Sequence, residues 1–151
     1  MSKKVLFLCH GNINRSPAAE IILKNLSPGF EVRSAGLKSD AGGAITAKKM
    51  REALKVKGFP SNGIRSSALT DEMISWADVI FYMDGGNKKR LEDKLGGVQE
   101  PKFRLLATLI GKTKIPDPNF SKGIEKHCQV IDMLSEAIQK FIEETNNAGL
   151  S

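Results

Sequence analysis

The sequence predicts one α/β domain over residues 1–151, built on a four-stranded parallel sheet with helices on both faces. Short apolar runs typical of buried strands alternate with longer amphipathic patterns along the 151-residue chain. Alternation of this kind favours a parallel sheet with right-handed crossovers. The length suits a single domain, and 40% hydrophobic with 26% charged residues is typical of a globular protein.

Four strands are predicted, and the first of them is the clearest. The run Val5-Leu6-Phe7-Leu8 is continuously apolar, as expected for a buried strand. In such sheets ligands bind beyond the carboxyl ends of the strands, where Cys9 and Met83-Asp84 would lie. The predicted strands are Lys4–Cys9, Phe30–Ser34, Asp78–Met83 and a short one at Lys112–Ile115.

Six helices are predicted between and after these strands. In the first, four apolar residues recur at helical spacing, so one face can pack on the sheet. Ser16 is its expected N-cap, because Pro17 suits the first helical position. Residues 146–151 are expected to form a frayed tail. The predicted helices are Pro17–Leu26, Thr46–Val56, Thr70–Trp76, Asn87–Leu95, Pro101–Leu109 and Ser121–Glu144.

Charge and cysteine content narrow the classes of function. A net charge of +6 favours anionic partners. Nucleic-acid binding is not predicted, because the sequence contains no basic patch interleaved with aromatic residues. No apolar stretch approaches the ~20 residues that span a bilayer, and no signal-peptide core follows the N-terminus, so no membrane partner is expected. Two cysteines provide no disulfide framework, which favours a reducing cytoplasm. The Cys and His residues lack zinc-ligand spacing. Neither a metal nor another cofactor is expected.

Residues 9–16, with the sequence Cys-His-Gly-Asn-Ile-Asn-Arg-Ser, carry most of the functional information. They join the end of the first strand to a helix, whose N-terminus offers N–H donors and partial positive charge to an anion. Gly11 and Asn12 tolerate the left-handed backbone that turns amides inward, and Arg15 presents a planar fork to phosphate oxygens. These positive surroundings favour the thiolate of Cys9, which would make it a nucleophile. We therefore predict that Cys9 lies at the floor of a phosphate site formed by His10, Gly11, Asn12, Ile13, Asn14 and Arg15.

This segment resembles the signature of the low-molecular-weight protein tyrosine phosphatases, in which a strand leads to Cys, five residues, Arg and Ser. Two further motifs match that family in order, Ser34-Ala35-Gly36 at the end of the second strand and Asp117-Pro118 before the last helix. The resemblance extends from about Lys4 to the C-terminal helix. Sequence context alone would make Asp117 a turn residue, whereas the resemblance implies that it is a general acid.

The resemblance implies a cysteine-dependent phosphomonoesterase, with phosphotyrosine in proteins or small aryl phosphates as substrate and inorganic phosphate as product. Cys9 would attack phosphorus and form a phosphocysteine, while Arg15 binds the phosphate oxygens. Asp117 would protonate the leaving oxygen and then serve as a base toward water. Asn12 and Ser16 would support the loop, and a substrate wall would come from Phe120 and Asn119.

The chain departs from the family pattern at several positions. Asn14 stands where many members have a second cysteine, so a disulfide with Cys9 is not expected. Asn119-Phe120 replaces a tyrosine pair of eukaryotic members, and residues 38–44 contain no aromatic for the pocket. Residues 64–69 lack the histidine that often supports the loop from behind.

Other functions remain as alternatives. A phosphoarginine phosphatase of the same fold commonly has Thr at position 13, and Ile13 favours phosphotyrosine instead. An arsenate reductase needs further cysteines near residues 80–90, where this chain has none. A phosphocysteine carrier would need neither Arg15 nor Asp117, and a phosphoprotein-binding module would lack the nucleophile or the acid.

Overall fold

The computed structural model describes residues 3–38, 40–98 and 101–149. Its main sheet is parallel, in the order β2-β1-β5-β6, and a separate antiparallel pair is formed by β3 and β4. The four-stranded parallel sheet predicted from sequence is confirmed. The strands are β1 (Lys4–Cys9), β2 (Glu31–Gly36), β3 (Gly42–Ile45), β4 (Arg65–Ser67), β5 (Val79–Tyr82) and β6 (Phe103–Leu105).

Helices cover both faces of the sheet, as predicted. The side chains of Val5, Phe7 and Cys9 join one apolar core with α1, α2 and α5, whereas Leu6 and Leu8 join a second core with α3 and α4. This division follows from the two-residue period of a strand, which sends alternate side chains to opposite faces. The helices are α1 (Arg15–Leu26), α2 (Lys48–Val56), α3 (Asp71–Trp76), α4 (Gly85–Leu95), a 3-10 helix (Leu106–Ile110) and α5 (Glu125–Gly149).

The far edge of the sheet differs from the prediction. The strand expected at Lys112–Ile115 and the helix expected over Pro101–Leu109 are both wrong, because β6 pairs with β5 and takes this edge. Phe103 is buried in the second core, and the 3-10 helix that follows β6 ends at Ile110, with Gly111 as its C-cap at a φ of 67°. A three-residue strand next to a short helix has too few residues to show either period clearly.

Several boundaries also differ. Helix α1 begins at Arg15, so the expected N-cap role of Ser16 is wrong, and Asn14 takes the cap position without a side-chain cap bond. Helix α5 begins at Glu125 rather than Ser121, because residues 121–124 form a non-helical bend. It includes residues 146–149 of the expected frayed tail, while residues 150–151 lie outside the described residues. The β3–β4 pair was not predicted, since its glycine-rich first strand is exposed and has no apolar alternation.

None of the helices in the described ranges is both long and apolar enough to cross a bilayer.

Candidate active site

The site lies where β1 ends, at the point where the sheet order changes direction. From β1 the chain passes to β2 on one side, and β5 pairs with β1 on the other. Loops that leave two such strands diverge and open a crevice at their carboxyl ends. Cys9 is the last residue of β1, and the loop from residue 10 to residue 14, here called the cradle loop, connects it to α1.

A chain of hydrogen bonds supports the Cys9 thiol. Its Sγ lies 3.0 Å from Ser16 Oγ, and Ser16 Oγ accepts a hydrogen bond of 2.8 Å from Asn12 Nδ2. Both Cys9 and Ser16 are buried. Because Asn12 donates to Ser16 Oγ, the serine hydroxyl proton is free to point at the Cys9 sulfur.

Asn12 fixes the shape of the cradle loop. Its φ is 58°, a left-handed conformation that asparagine adopts at lower cost than most residues. The side chain is fully buried, and its Oδ1 accepts a hydrogen bond of 2.9 Å from the backbone N–H of Ser67 in β4. The backbone of residues 64–69 therefore supports the loop from behind, in the segment where no histidine is present.

The cradle loop presents its backbone donors without protein partners. None of the N–H groups of residues 10–14 donates a hydrogen bond to another described residue. The carbonyls are used instead, since the N–H of Lys38 donates to His10 O at 2.9 Å and that of Ala47 donates to Ile13 O at 2.8 Å. A loop that is anchored through its carbonyls and has unpaired amides can bind a tetrahedral anion.

Gly36 permits the close approach of β2 to this loop. A Cβ at this position would lie 3.1 Å from Gly11 C and His10 O and 2.8 Å from the Cβ of Ala41.

Of the cradle loop's own side chains, His10 Nδ1 and Asn14 Oδ1 are buried without a hydrogen-bond partner in the described structure.

Arg15 extends from the first turn of α1 into the same site. Its side chain is only 4% exposed, and Nη1 donates to Asp84 Oδ2 at 2.7 Å and to the carbonyl of Ile115 at 2.9 Å. No described residue accepts a hydrogen bond from Nε or Nη2. One edge of the guanidinium is thus held by the protein, and its other donors remain available to phosphate oxygens.

Asp84 also belongs to the candidate site, and sequence reasoning had placed it at a strand end without assigning it a role. Its Oδ2 binds Arg15, and its Oδ1 caps α4 by accepting the N–H of Asn87 at 2.8 Å. Partial burial acts to raise the pKa of Asp84, but the bond from Arg15 and the backbone bonds from Asn87 and Gly86 outweigh it, so the pKa lies below its ordinary value. Asp84 is therefore an anion that orients Arg15 from 69 positions away in sequence.

Asp117 belongs to the segment from residue 116 to residue 121, here called the acid loop. Its Oδ2 lies 3.9 Å from Arg15 Nη2, and its side chain is 49% exposed. The backbone N–H of Asn119 donates to Asp117 Oδ1 at 3.0 Å, so Asn119 orients the carboxylate and its own side chain is exposed. Phe120 is 97% exposed and has a φ of 66°.

The structure thus brings together the predicted residues Cys9, Arg15 and Asp117, with the cradle loop between the first two. The second cysteine, Cys128, is partly buried in α5 and packs against the first core, and both cysteines are free. In the described part of the chain, no group of three or more His, Cys, Asp or Glu side chains is arranged to hold a metal ion.

Comparison with known proteins shows the family to which the chain belongs. The family model for low molecular weight phosphotyrosine protein phosphatase matches residues 4–149. A protein-arginine-phosphatase of Geobacillus stearothermophilus is 34% identical, with 95% of this chain and 97% of that protein aligned. A low molecular weight protein-tyrosine-phosphatase of Bacillus subtilis is 29% identical over 90% of this chain and 96% of that protein.

Solved structures give the same result. The crystal structure of a protein tyrosine phosphatase from Entamoeba histolytica superposes with a TM-score of 0.86 at 30% identity, covering 98% of this chain and 99% of that one. The family match spans both motifs that the fold brings together, the Cys9–Ser16 segment and Asp117-Pro118. The chain belongs to the low molecular weight phosphotyrosine protein phosphatase family.

Proposed function

We propose that this phosphatase hydrolyses phosphotyrosine in proteins, and small aryl phosphates, with Cys9 as nucleophile, Arg15 as phosphate ligand and Asp117 as general acid and base. The observation that carries the proposal is the convergence of these three side chains around the unpaired amides of the cradle loop. Cys9 Sγ is held by Ser16, and Asp117 lies 3.9 Å from Arg15 Nη2.

In the first step the Cys9 thiolate attacks phosphorus in line with the ester oxygen. The S–P bond forms as the P–O bond breaks, and the Asp117 carboxyl gives its proton to the departing phenolate oxygen. Arg15 and the amides of residues 10–14 bind the equatorial oxygens as their charge spreads in the transition state. Asp84 keeps the guanidinium in place during this step.

In the second step a water molecule attacks the phosphocysteine. Asp117, now ionised, accepts a proton from that water, the S–P bond breaks, and inorganic phosphate leaves with the Cys9 thiolate restored. The hydrogen bond from Ser16 stabilises the thiolate as leaving group. Neither step requires a metal ion or an organic cofactor.

Two features bear on the choice between phosphotyrosine and phosphoarginine. The exposed Phe120 follows Asp117 in the acid loop and offers an aromatic face to a phenyl ring, and Ile13 puts an apolar side chain on the cradle loop. Both favour an aryl substrate. Phosphoarginine is the second candidate, because the Geobacillus stearothermophilus relative at 34% identity is a protein-arginine-phosphatase.

The chemistry is tested by hydrolysis of an aryl phosphate with wild type, Cys9→Ser and Asp117→Ala, with EDTA and with vanadate. We expect activity that survives EDTA, falls with vanadate, disappears in Cys9→Ser and drops about 10²- to 10⁴-fold in Asp117→Ala, the usual contribution of a general acid. Tight vanadate binding without turnover by the reduced wild type would instead indicate a carrier or a phosphoprotein-binding module.

Substrate class is tested by side-by-side turnover of phosphotyrosyl and phosphoarginyl peptides. We expect the first to be hydrolysed faster, and we expect Ile13→Thr to shift the ratio toward phosphoarginine. Ile13→Val is the matched control, because Val has the shape of Thr without its hydroxyl group. Faster turnover of phosphoarginine by the wild type would contradict the assignment.

A cytoplasmic location suits this mechanism, because a reducing compartment keeps the free Cys9 thiol from oxidation. Cell fractionation with detection of the chain would test the location. Recovery in a secreted fraction would contradict it.

A further inference from the structure

A cavity lies beneath part of the acid loop. This cavity of about 200 Å³ lies between Pro116, Asp117 and Pro118 of the loop and Gln129, Val130 and Met133 of α5, with Lys126 at its edge. Asp117 is half exposed, and Phe120 after it is almost fully exposed in a left-handed conformation. Such a conformation is unfavourable for a bulky residue and persists only where neighbouring contacts hold it.

Polar contacts at the end of the loop supply that restraint. Ser121 N–H donates to Pro118 O at 3.3 Å, and Ser121 Oγ donates to Gly123 O at 3.2 Å, so the residue closes the turn on both sides. The ammonium of Lys49 in α2 donates to Ser121 O, and Nδ1 of His127 in α5 lies 3.3 Å from Ser121 Oγ. Ser121 is therefore bound by two helices at once.

His127 is well placed for a structural bond rather than for titration. It is 3% exposed, and burial together with the nearby Lys49 ammonium holds its pKa below the ordinary value, although the Asp117 carboxylate acts in the opposite direction. Because Ser121 Oγ donates its proton to Gly123 O, it accepts from His127, which requires the tautomer with the proton on Nδ1. The bond to Ser121 therefore needs no positive charge on the imidazole.

Helix α2 connects this restraint to the nucleophile. The N–H of Ala47, which caps α2, donates to Ile13 O in the cradle loop, and Lys49 two residues later donates to Ser121 O in the acid loop. One helix end thus binds both loops.

We propose that Lys49 and His127 are positioning residues, which act through Ser121 to hold Asp117 where it can protonate the leaving group. The proposal rests on the general-acid role of Asp117 given above. The three residues Lys49, Ser121 and His127 are called the acid-loop clamp below. A displacement of about 1 Å can cost a reaction 10²-fold, so loosening the clamp affects proton transfer although the clamp does not contact the substrate.

The test compares two leaving groups. p-Nitrophenolate departs readily without a proton, whereas phenolate, the anion of a group with a pKa of about 10 like tyrosine, depends on the acid. For Lys49→Met and His127→Leu we expect kcat/KM to fall about tenfold with phenyl phosphate and less than about threefold with p-nitrophenyl phosphate. Vanadate inhibition should stay within about twofold of wild type, since the cradle loop is untouched.

Two further variants exclude a purely structural effect. Lys57→Met removes the 3.0 Å ion pair with Asp132, which also joins α2 to α5 but lies away from the acid loop, and it should leave the ratio of the two substrates unchanged. His127→Asn keeps an amide group near the position of Nδ1 and should restore much of the rate. If His127→Leu does not fold, Lys49→Met carries the test alone.

A double variant separates this proposal from the proposed function. In an Asp117→Asn background, Lys49→Met should change the substrate ratio no further, because residues that act through one group are not additive. If Asp117→Asn alters the ratio and the clamp variants do not, the clamp proposal is wrong and the acid assignment stands. If Asp117→Asn leaves the ratio unchanged, both fail.

Discussion

Replacing Asp84 by Asn tests how Arg15 is oriented. The change removes the negative charge that binds Arg15 Nη1 at 2.7 Å but keeps an oxygen that can cap α4 by accepting from Asn87 N. Arg15 retains its 2.9 Å bond to Ile115 O. The guanidinium would lose one of its two anchors on that edge and gain freedom to rotate away from the phosphate site.

The size of the effect follows from burial. Arg15 is 4% and Asp84 26% exposed, so the lost bond is a charge-assisted one in partly dry surroundings, where about 1.5–3 kcal/mol is usual. We expect the free energy of unfolding to fall by about 2 kcal/mol. If the same interaction is needed in the transition state, kcat/KM falls about 30-fold, at about 1.4 kcal/mol per factor of ten.

The assays are kcat/KM with p-nitrophenyl phosphate and denaturant unfolding of wild type and Asp84→Asn. Thr70→Ala is the matched control, because it removes the N-cap bond of α3 to Met73 N away from the site. It should cost about 1 kcal/mol of stability with unchanged activity. A loss of stability in Asp84→Asn with kcat/KM within twofold of wild type would refute the orienting role.

Acidification provides a second check on Asp84. Its folded-state pKa lies below the unfolded value of about 3.9, so its stabilising contribution is complete above that pH and is lost as the pH falls through the folded value. As the pH falls below about 4, wild type should therefore lose more of its free energy of unfolding than Asp84→Asn. Parallel curves of unfolding free energy against pH would contradict a lowered pKa for Asp84.

Three other perturbations have defined outcomes. Ser16→Ala leaves the buried Asn12 Nδ2 unpaired and removes the bond to Cys9. The free energy of unfolding should therefore fall by about 1–3 kcal/mol, and kcat should fall about tenfold. An unchanged kcat would exclude Ser16 from thiolate stabilisation. Gly36→Ala puts a Cβ 3.1 Å from the cradle-loop backbone and should lower stability by about 1–3 kcal/mol together with activity, whereas Gly29→Ala, with nothing within 4 Å, should be neutral in activity. His127 resists protonation in the fold, so stability should decline as the pH falls below about 6.5, and this slope should flatten in His127→Asn; an equal slope in both would place the titration elsewhere.

Local sequence patterns were sufficient to locate the part of the candidate site that contains the proposed nucleophile. Cys9, the cradle loop and Arg15 are contiguous in sequence, and a strand, a Gly-Asn turn and a helix start follow one another within residues 4–17. Strand β1 was recognised as a continuous apolar run, and α1 by apolar residues at helical spacing. The expectation that α1 packs by one face was wrong, because its residues from Arg15 to Leu23 are all buried. Where the elements are short, as at β6 and the 3-10 helix, prediction failed.

By itself, therefore, the sequence determined the fold class and located the segment that we propose binds phosphate, with Cys9 as proposed nucleophile, and the resemblance of its motifs pointed to Asp117. Only the tertiary structure decided which groups complete the site. Asp84 lies 69 positions and Ile115 100 positions from Arg15, and Ser67 reaches Asn12 from 55 positions away. The order of strands in the sheet and the packing of α2 and α5 beside the acid loop determine which residues come into hydrogen-bond contact. No local period encodes that choice, since hydrogen bonds between distant segments depend on where the whole core brings each backbone.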